Sequence, residues 1–362
     1  MSRVLNFNAG PAPLPPPVLA EAREELLDYR GQGMSILEMS HRVPEYEAIH
    51  AHAEAAIKRH LGVGDGYRVV FVQGGASTQF ATVPMNFLAP GSTAEYLVTG
   101  SWGEKAVEEA EILGTAHVAA TTKEGGYRRV PRADEIRRAA GPSAYVHLTT
   151  NETIQGVQYR DIPDVGDAPL VGDMSSDILS RPIDGNRFAL IYAGAQKNLG
   201  PAGVTVVVLR ESWLERANRK IPTMLRYATH TKNHSLYNTP PTFSIYLLDL
   251  FLKWIDAEGG LEAIAARNEA KAAIVYGAID NSGGFYRGHA EEEARSRMNV
   301  TFNLPTPELE KQFVAAAKAE GMVGLAGHRS VGGARASIYN AIGLDACRAL
   351  AGFMGDFAAR NG

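Results

Sequence analysis

An α/β fold is the class this chain predicts: a mostly parallel, seven-stranded sheet with helices on both faces, then a smaller α/β unit at the C-terminus. Three observations predict it. Apolar, strand-like runs recur near 68–72, 95–98, 116–120, 144–149, 169–172, 188–192 and 204–209, and helix-period stretches such as 103–112 and 132–140 separate several of them. That alternation is expected of parallel strands joined by crossover helices. The runs 188–192 and 204–209 are joined by only eleven residues, too few for a crossover, so one antiparallel neighbour is expected. A helical stretch over 241–258 stops at Gly259-Gly260, after which the pattern starts afresh.

Taken in order, the prolines between Pro11 and Pro17 predict an extended arm. Residues 18–29 predict a helix with Leu19, Ala22, Leu26 and Tyr29 on one face. The seven strand runs and their helices follow. From Leu261 the chain reads as helix, then strands near 298–304 and 336–340 with helices between and after. Cys347 falls in one of these helical patterns and reads as a buried structural thiol.

Composition bounds the function. Hydrophobic residues make up 45% of 362, ample for a core, and the net charge of −4 offers no basic field for nucleic acid. A single cysteine excludes an intrachain disulfide and suits a reducing, cytoplasmic compartment. No apolar segment approaches 18 residues, so no membrane span is expected. No signal peptide and no metal site are expected either.

Lys197 carries the chemistry. It stands in Ile191-Tyr192-Ala193-Gly194-Ala195-Gln196-Lys197-Asn198-Leu199-Gly200, between two apolar strand runs. A lysine at the end of a buried strand is poorly solvated, so its amine is pushed toward the neutral, nucleophilic form. A lysine that snorkels to the surface is the plainer alternative. Asp173 ends the apolar run Pro169-Leu170-Val171-Gly172, and ligands of open α/β sheets bind beyond the carboxyl ends of strands. An amine and an acid so placed suit pyridoxal phosphate, the lysine as Schiff-base partner and the aspartate on the pyridine nitrogen. On its own, Asp173 reads equally as a helix cap or turn acid, and Asp177 is a rival for its role. Gln73-Gly74-Gly75-Ala76-Ser77-Thr78 follows a strand run and opens a helical one, a cup for a phosphate at a helix N-terminus. It is neither a Walker loop nor a dinucleotide fingerprint, and a plain strand-to-helix turn explains it as well.

The order of glycine cup, aspartate and lysine resembles the fold type I pyridoxal-phosphate enzymes. Longer strings narrow the resemblance: Asn6-Phe7-Asn8-Ala9-Gly10-Pro11, Glu38-Met39-Ser40-His41-Arg42, Asn151-Glu152-Thr153-Ile154-Gln155-Gly156, Tyr237-Asn238-Thr239-Pro240-Pro241, Gly327-His328-Arg329 and Gly332-Gly333-Ala334-Arg335. From end to end these resemble the phosphoserine aminotransferase family of the class V aminotransferases. The resemblance implies an N-terminal arm over 1–15 packing on the small domain, a large cofactor domain over 16–258 and a small domain over 259–362.

It also implies roles. Lys197 holds the cofactor and moves the proton between the substrate α-carbon and the cofactor; Asp173 binds the pyridine nitrogen; Trp102 stacks on the ring; Thr153 bonds the phenolic oxygen. The backbone of Ala76 and Ser77 binds the phosphate with the Gln196 side chain. Asn238 and Thr239 reach that phosphate from a neighbouring subunit, which implies a homodimer. Arg335 clamps the substrate α-carboxylate. His41 with Arg42, and His328 with Arg329, receive the substrate phosphate and the side-chain carboxylate of glutamate. Some family members carry arginine where Ser77 stands and serine where Ala9 stands. The implied reaction is a ping-pong exchange between L-glutamate/2-oxoglutarate and O-phosphoserine/3-phosphohydroxypyruvate in serine synthesis, with 4-phosphohydroxy-L-threonine of vitamin B6 synthesis as a second substrate. Two rivals stand beside it. A transaminase of unphosphorylated serine, glyoxylate or alanine would leave the doubled His-Arg pairs unmatched. A cofactor-binding regulator would call for a DNA-binding helix-turn-helix and a basic patch, neither of which is read here.

Overall fold

The computed structural model describes residues 3–362, so the first two residues of the expected arm lie outside it. In chain order, β1 (Leu5–Asn6) precedes α1 (Pro16–Glu24) and α2 (Pro44–His60). Then come β2 (Tyr67–Val72), α3 (Gly75–Phe87), β3 (Thr93–Val98), α4 (Ser101–Leu113), β4 (Thr115–Thr121) and β5 (Ser143–Thr149). A short hairpin of β6 (Asn151–Glu152) and β7 (Val157–Gln158) leads to β8 (Leu170–Asp173), β9 (Leu190–Gly194) and β10 (Thr205–Arg210). Helices α5 (Glu211–Leu214), α6 (Tyr227–Lys232), α7 (Thr242–Ala257) and α8 (Gly260–Asp280) follow. The chain closes with β11 (Arg287–Gly288), β12 (Asn299–Asn303), α9 (Pro307–Ala319), β13 (Met322–Val323), β14 (Ala334–Ser337) and α10 (Leu344–Asn361).

All seven predicted runs enter one sheet, in the order β2-β10-β9-β8-β5-β3-β4. Only β10 runs against its neighbours, pairing antiparallel with β9 and β2. Strands β8, β9 and β10 are buried along nearly their whole length, which is why they read as unbroken apolar runs rather than alternating ones. Helices cover both faces: one core packs Ile57, Ile245, Leu248 and Phe251 under the sheet, the other packs Phe80, Val83, Ala106 and Val107 on the opposite face. A separate core gathers Phe302, Phe313, Leu350 and Phe353 around the sheet β11-β12-β14. The arm joins it: β1 pairs parallel with β13, and Phe7, fully buried, packs there. Burying a phenylalanine contributes about 2–3 kcal/mol, so this short arm is firmly held. No helix among the described residues is long and apolar enough to cross a membrane.

Three expectations are corrected. Residues 132–140 form one 3-10 turn, Ala133–Glu135, and then run extended. Tertiary bonds override the helical pattern: Arg137 N–H donates to Ala119 O at 2.7 Å, and Arg138 clamps the buried Glu95 carboxylate with two bonds of 2.8 Å. The helix over 18–29 stops at Glu24 and starts at Pro16, so the last two prolines open a helix instead of ending the arm. Its buried residues are Val18 and Ala22, whereas Leu19 and Leu26 are exposed. Tyr29 is buried from the loop beyond, edge-on to Tyr246 at 6.0 Å. The last strand spans Ala334–Ser337, two residues earlier than expected.

Candidate active site

Four strand-to-loop junctions meet at the carboxyl edge of the sheet. Asp173 is the last residue of β8. Three residues past β9 a tight turn, fixed by Gly200 N–H donating to Ala195 O at 2.8 Å, carries Lys197. The hairpin after β5 carries Glu152 and Thr153, and the loop after β3 opens α4 with Trp102 in its first turn. Lys197 Nζ donates to Thr153 Oγ1 at 2.6 Å and lies 4.8 Å from the centre of the Trp102 ring. The arm closes over the lysine. Ala12 N–H donates to Gln196 O at 2.8 Å, and Gly10, at φ +146°, lies so close that a Cβ there would stand 3.3 Å from Lys197 Cγ.

Electrostatics follow from burial. Burial lowers the Lys197 amine to about 8; Asp173 and Glu152 oppose that shift and Arg335 adds to it. Asp173, 4% exposed, accepts from Ser175 N–H at 2.9 Å. Burial raises its carboxyl above the usual aspartate range, against the pull of Lys197. Glu152 is fully buried and is raised by burial to about 7, even though its carboxylate accepts from Trp102 N–H at 3.1 Å and Gly103 N–H at 2.9 Å. Asp177, the rival acid, turns away: it accepts from Thr150 Oγ1 at 2.5 Å and Gln158 Nε2 at 3.1 Å.

Arg335 leans in from β14. Among the described residues its guanidinium makes one hydrogen bond, 3.4 Å to Thr153 O, its Nε is buried without a partner, and no carboxylate lies within ion-pair reach. Burial lowers its guanidinium below the arginine range. Beside it, burial and the charges of Arg335, Arg329 and Lys105 hold the His328 imidazole below its usual value. Lys105 also places its ammonium 4.7 Å from the Trp102 ring centre. Ala76 and Ser77 open α3 after Gly74, whose φ of +95° and Thr78 contact leave no room for a side chain. Phe80 of α3 lies 6.4 Å from Trp102.

The remaining predicted residues stay apart within one chain. Asn238 donates to the neighbouring Thr239 O at 3.2 Å. Arg42 N–H donates to Ser40 Oγ at 3.3 Å, and His41 Nε2 is buried without a partner. None of the four bonds to the Lys197 cluster among the described residues. Sequence reasoning missed Glu152 and Lys105. Glu152 lay in a quoted string, and its signal was an acid beside Thr153. Lys105 stood three residues after the tryptophan, one helical turn away.

The class-V aminotransferase model matches residues 4–346. The chain belongs to the class V aminotransferases, among their phosphoserine aminotransferases. It is a pyridoxal-phosphate-dependent transaminase. It is 59% identical over 359 residues to the phosphoserine aminotransferase of Herpetosiphon aurantiacus, 99% of each chain. The solved phosphoserine aminotransferase of Bacillus circulans subsp. alkalophilus superposes with a TM-score of 0.97 at 56% identity, again covering 99% of each chain. The pyridoxal-phosphate-bound enzyme of Trichomonas vaginalis gives 0.92 at 39% identity, covering 98% of this chain and 100% of that one.

Proposed function

We propose that the chain transfers the amino group of L-glutamate to 3-phosphohydroxypyruvate, releasing 2-oxoglutarate and O-phospho-L-serine, in cytoplasmic serine biosynthesis, and that 4-phosphohydroxy-L-threonine uses the same site. The observation that carries this reading is a depressed lysine beside the Trp102 ring, bonded to Thr153, with a part-buried arginine whose Nε has no partner reaching the same Thr153. A transaminase needs a reactive amine and a clamp for the α-carboxylate.

The residues fit pyridoxal phosphate. A buried acid with one backbone donor suits a pyridinium N–H, the indole offers a flat face beside the amine, and the glycine-led start of α3 suits a phosphate. When bound, the cofactor supplies an electron sink that makes the substrate α-proton acidic. Lys197 holds it covalently at rest. Once freed, its Nζ takes the proton from the substrate α-carbon and returns it on the other side of the exchange; an amine titrating near 8 suits both duties. Asp173 keeps the ring nitrogen protonated. Trp102 fixes the ring plane, and Thr153, relieved of the lysine, donates to the phenolic oxygen. Backbone N–H groups of Ala76 and Ser77 take the phosphate with Gln196, and Asn238 and Thr239 complete it from a second copy of the chain. Arg335 holds the α-carboxylate. The pairs His41–Arg42 and His328–Arg329 receive the phosphate or the distal carboxylate.

The test is a half-reaction. O-phosphoserine should convert the absorbance of the lysine-bound cofactor to that of pyridoxamine phosphate, serine should do so slowly, and Lys197→Ala should lack the band. Equal rates with both donors would remove phosphate selectivity from the reading.

A further inference from the structure

We propose that Glu152 is a positioning residue of this site: its buried carboxylate fastens the start of α4, and with it Trp102, to the β6–β7 hairpin that presents Thr153 to Lys197. The inference rests on the cofactor site described above.

Helix α4 begins at Ser101 with Gly100 as its N-cap, a residue with no side chain to satisfy the first N–H groups. Two side chains from the distant β6–β7 hairpin do that work. Glu152 accepts from the Trp102 and Gly103 N–H groups, one on each oxygen. Gln155 accepts from Ser101 N–H at 3.4 Å and donates to Ser101 Oγ at 2.9 Å. The fit leaves no slack: a Cβ on Gly100 would stand 2.5 Å from Gln155 Oε1 and 2.6 Å from Glu152 Cδ. The hairpin is itself held, since Gly156 N–H donates to Glu152 O at 2.8 Å and Thr301 Oγ1 of β12 donates to Ile154 O at 3.0 Å. Glu152 therefore sets where the indole sits relative to the Thr153 hydroxyl, one residue on, which accepts the Lys197 amine.

The carboxylate has a second effect. It is one of three acids whose charge favours protonated Lys197, with Asp173 before it and Asp177 after it in strength, while Arg335 opposes them. The titrating groups around Glu152 are Asp173, Lys197, Tyr127 and Tyr159. A glutamine keeps the shape but carries one acceptor oxygen and an N–H₂ that would face another N–H. It removes the charge as well.

The experiment compares Glu152→Gln with Gln155→Ala, a variant that loosens the same helix start without changing charge. Cofactor affinity is read by quenching of tryptophan fluorescence. Lys197 titration is read in the cofactor-free protein, from the pH dependence of its labelling by an amine-specific reagent. For Glu152→Gln, affinity should fall about tenfold or more, the cost of one charge-assisted bond. The Lys197 midpoint should drop by about half a unit or more, as loss of a nearby negative charge requires. Gln155→Ala should leave that midpoint unmoved. Should Glu152→Gln lose only thermal stability, with cofactor affinity and the Lys197 midpoint unchanged, Glu152 is a helix cap and the proposal fails. A wild-type chain that does not bind pyridoxal phosphate would instead overturn the underlying reading of the site.

Discussion

Arg335→Gln separates a residue kept for ligand from one kept for structure, because the two roles predict opposite signs. In the protein without substrate the guanidinium has one long bond to Thr153 O and a buried, unpartnered Nε. A part-buried cation without a counter-ion costs stability, and replacing it with a neutral side chain of similar reach is expected to be neutral or to stabilise by about 1 kcal/mol. Binding moves the other way. Truncating one partner of a buried, hydrogen-bonded charge pair costs about 2–5 kcal/mol, so affinity for the amino-acid donor should fall roughly 30-fold to several thousand-fold. Arg335 also pushes Lys197 down. Its removal favours the protonated amine, so the Lys197 midpoint should rise above about 8 and the acid limb of the rate profile should move to higher pH. The assay pairs urea unfolding of the cofactor-free protein with half-reactions using O-phosphoserine and glutamate. A variant that loses more than about 1 kcal/mol of stability and keeps its affinity for both donors would refute the argument.

Lys197 makes stability depend on pH. Its folded value, about 8, lies below the unfolded one, so between these the unfolded chain holds more protons and unfolding free energy should rise with pH; Lys197→Met should flatten that rise in urea titrations from pH 7.5 to 10. Gly100→Ala should displace the start of α4, since the added Cβ would meet Gln155 and Glu152 within 2.6 Å; cofactor affinity should fall at least tenfold with the far-ultraviolet spectrum retained. If Asn238 serves the partner's site, mixing Lys197→Ala with Asn238→Ala chains, each poorly active alone, should restore activity through mixed dimers with one intact site. Failure to complement after confirmed subunit exchange would place Asn238 in its own chain's site.

What the sequence made legible was what burial writes as continuous pattern. The central strands β8, β9 and β10 are buried along nearly their whole length and so stand out as apolar runs; β10 betrays its direction by the short connection from β9. Lys197 and Asp173 were found because each ends such a run. Residues 132–140 misled because alanine and arginine favour a helix locally, whereas the deciding partner, Glu95, lies on another strand. Two-residue strands such as β6 and β7 carry no period to detect. Glu152 was hidden for a related reason. Its work is defined by N–H groups fifty residues away, and nothing in Asn151-Glu152-Thr153 says that a helix start will be laid against it.

The way this chain spends its charges argues for where substrate lands. It has 40 acidic and 36 basic residues, so carboxylates are not scarce, and elsewhere its part-buried arginines meet a carboxylate or, at Arg181, Arg210 and Arg226, carbonyl oxygens. Arg138 meets Glu95, Arg129 meets Glu135 and Arg295 meets Asp280, all within 2.8 Å. At the carboxyl edge of the sheet the habit stops. Arg335, Arg329, His328 and Lys105 have no carboxylate partner among the described residues, although Arg335, Arg329 and Lys105 lie near enough to depress His328. The acids nearby do not pair with them either: Asp173 and Glu152 are turned to backbone N–H groups, and Asp177 to the Thr150 and Gln158 side chains. Holding like charges together unpaired raises the energy of the empty protein. A ligand that brings anionic groups there offsets that cost, and a phosphorylated or dicarboxylic amino acid does so.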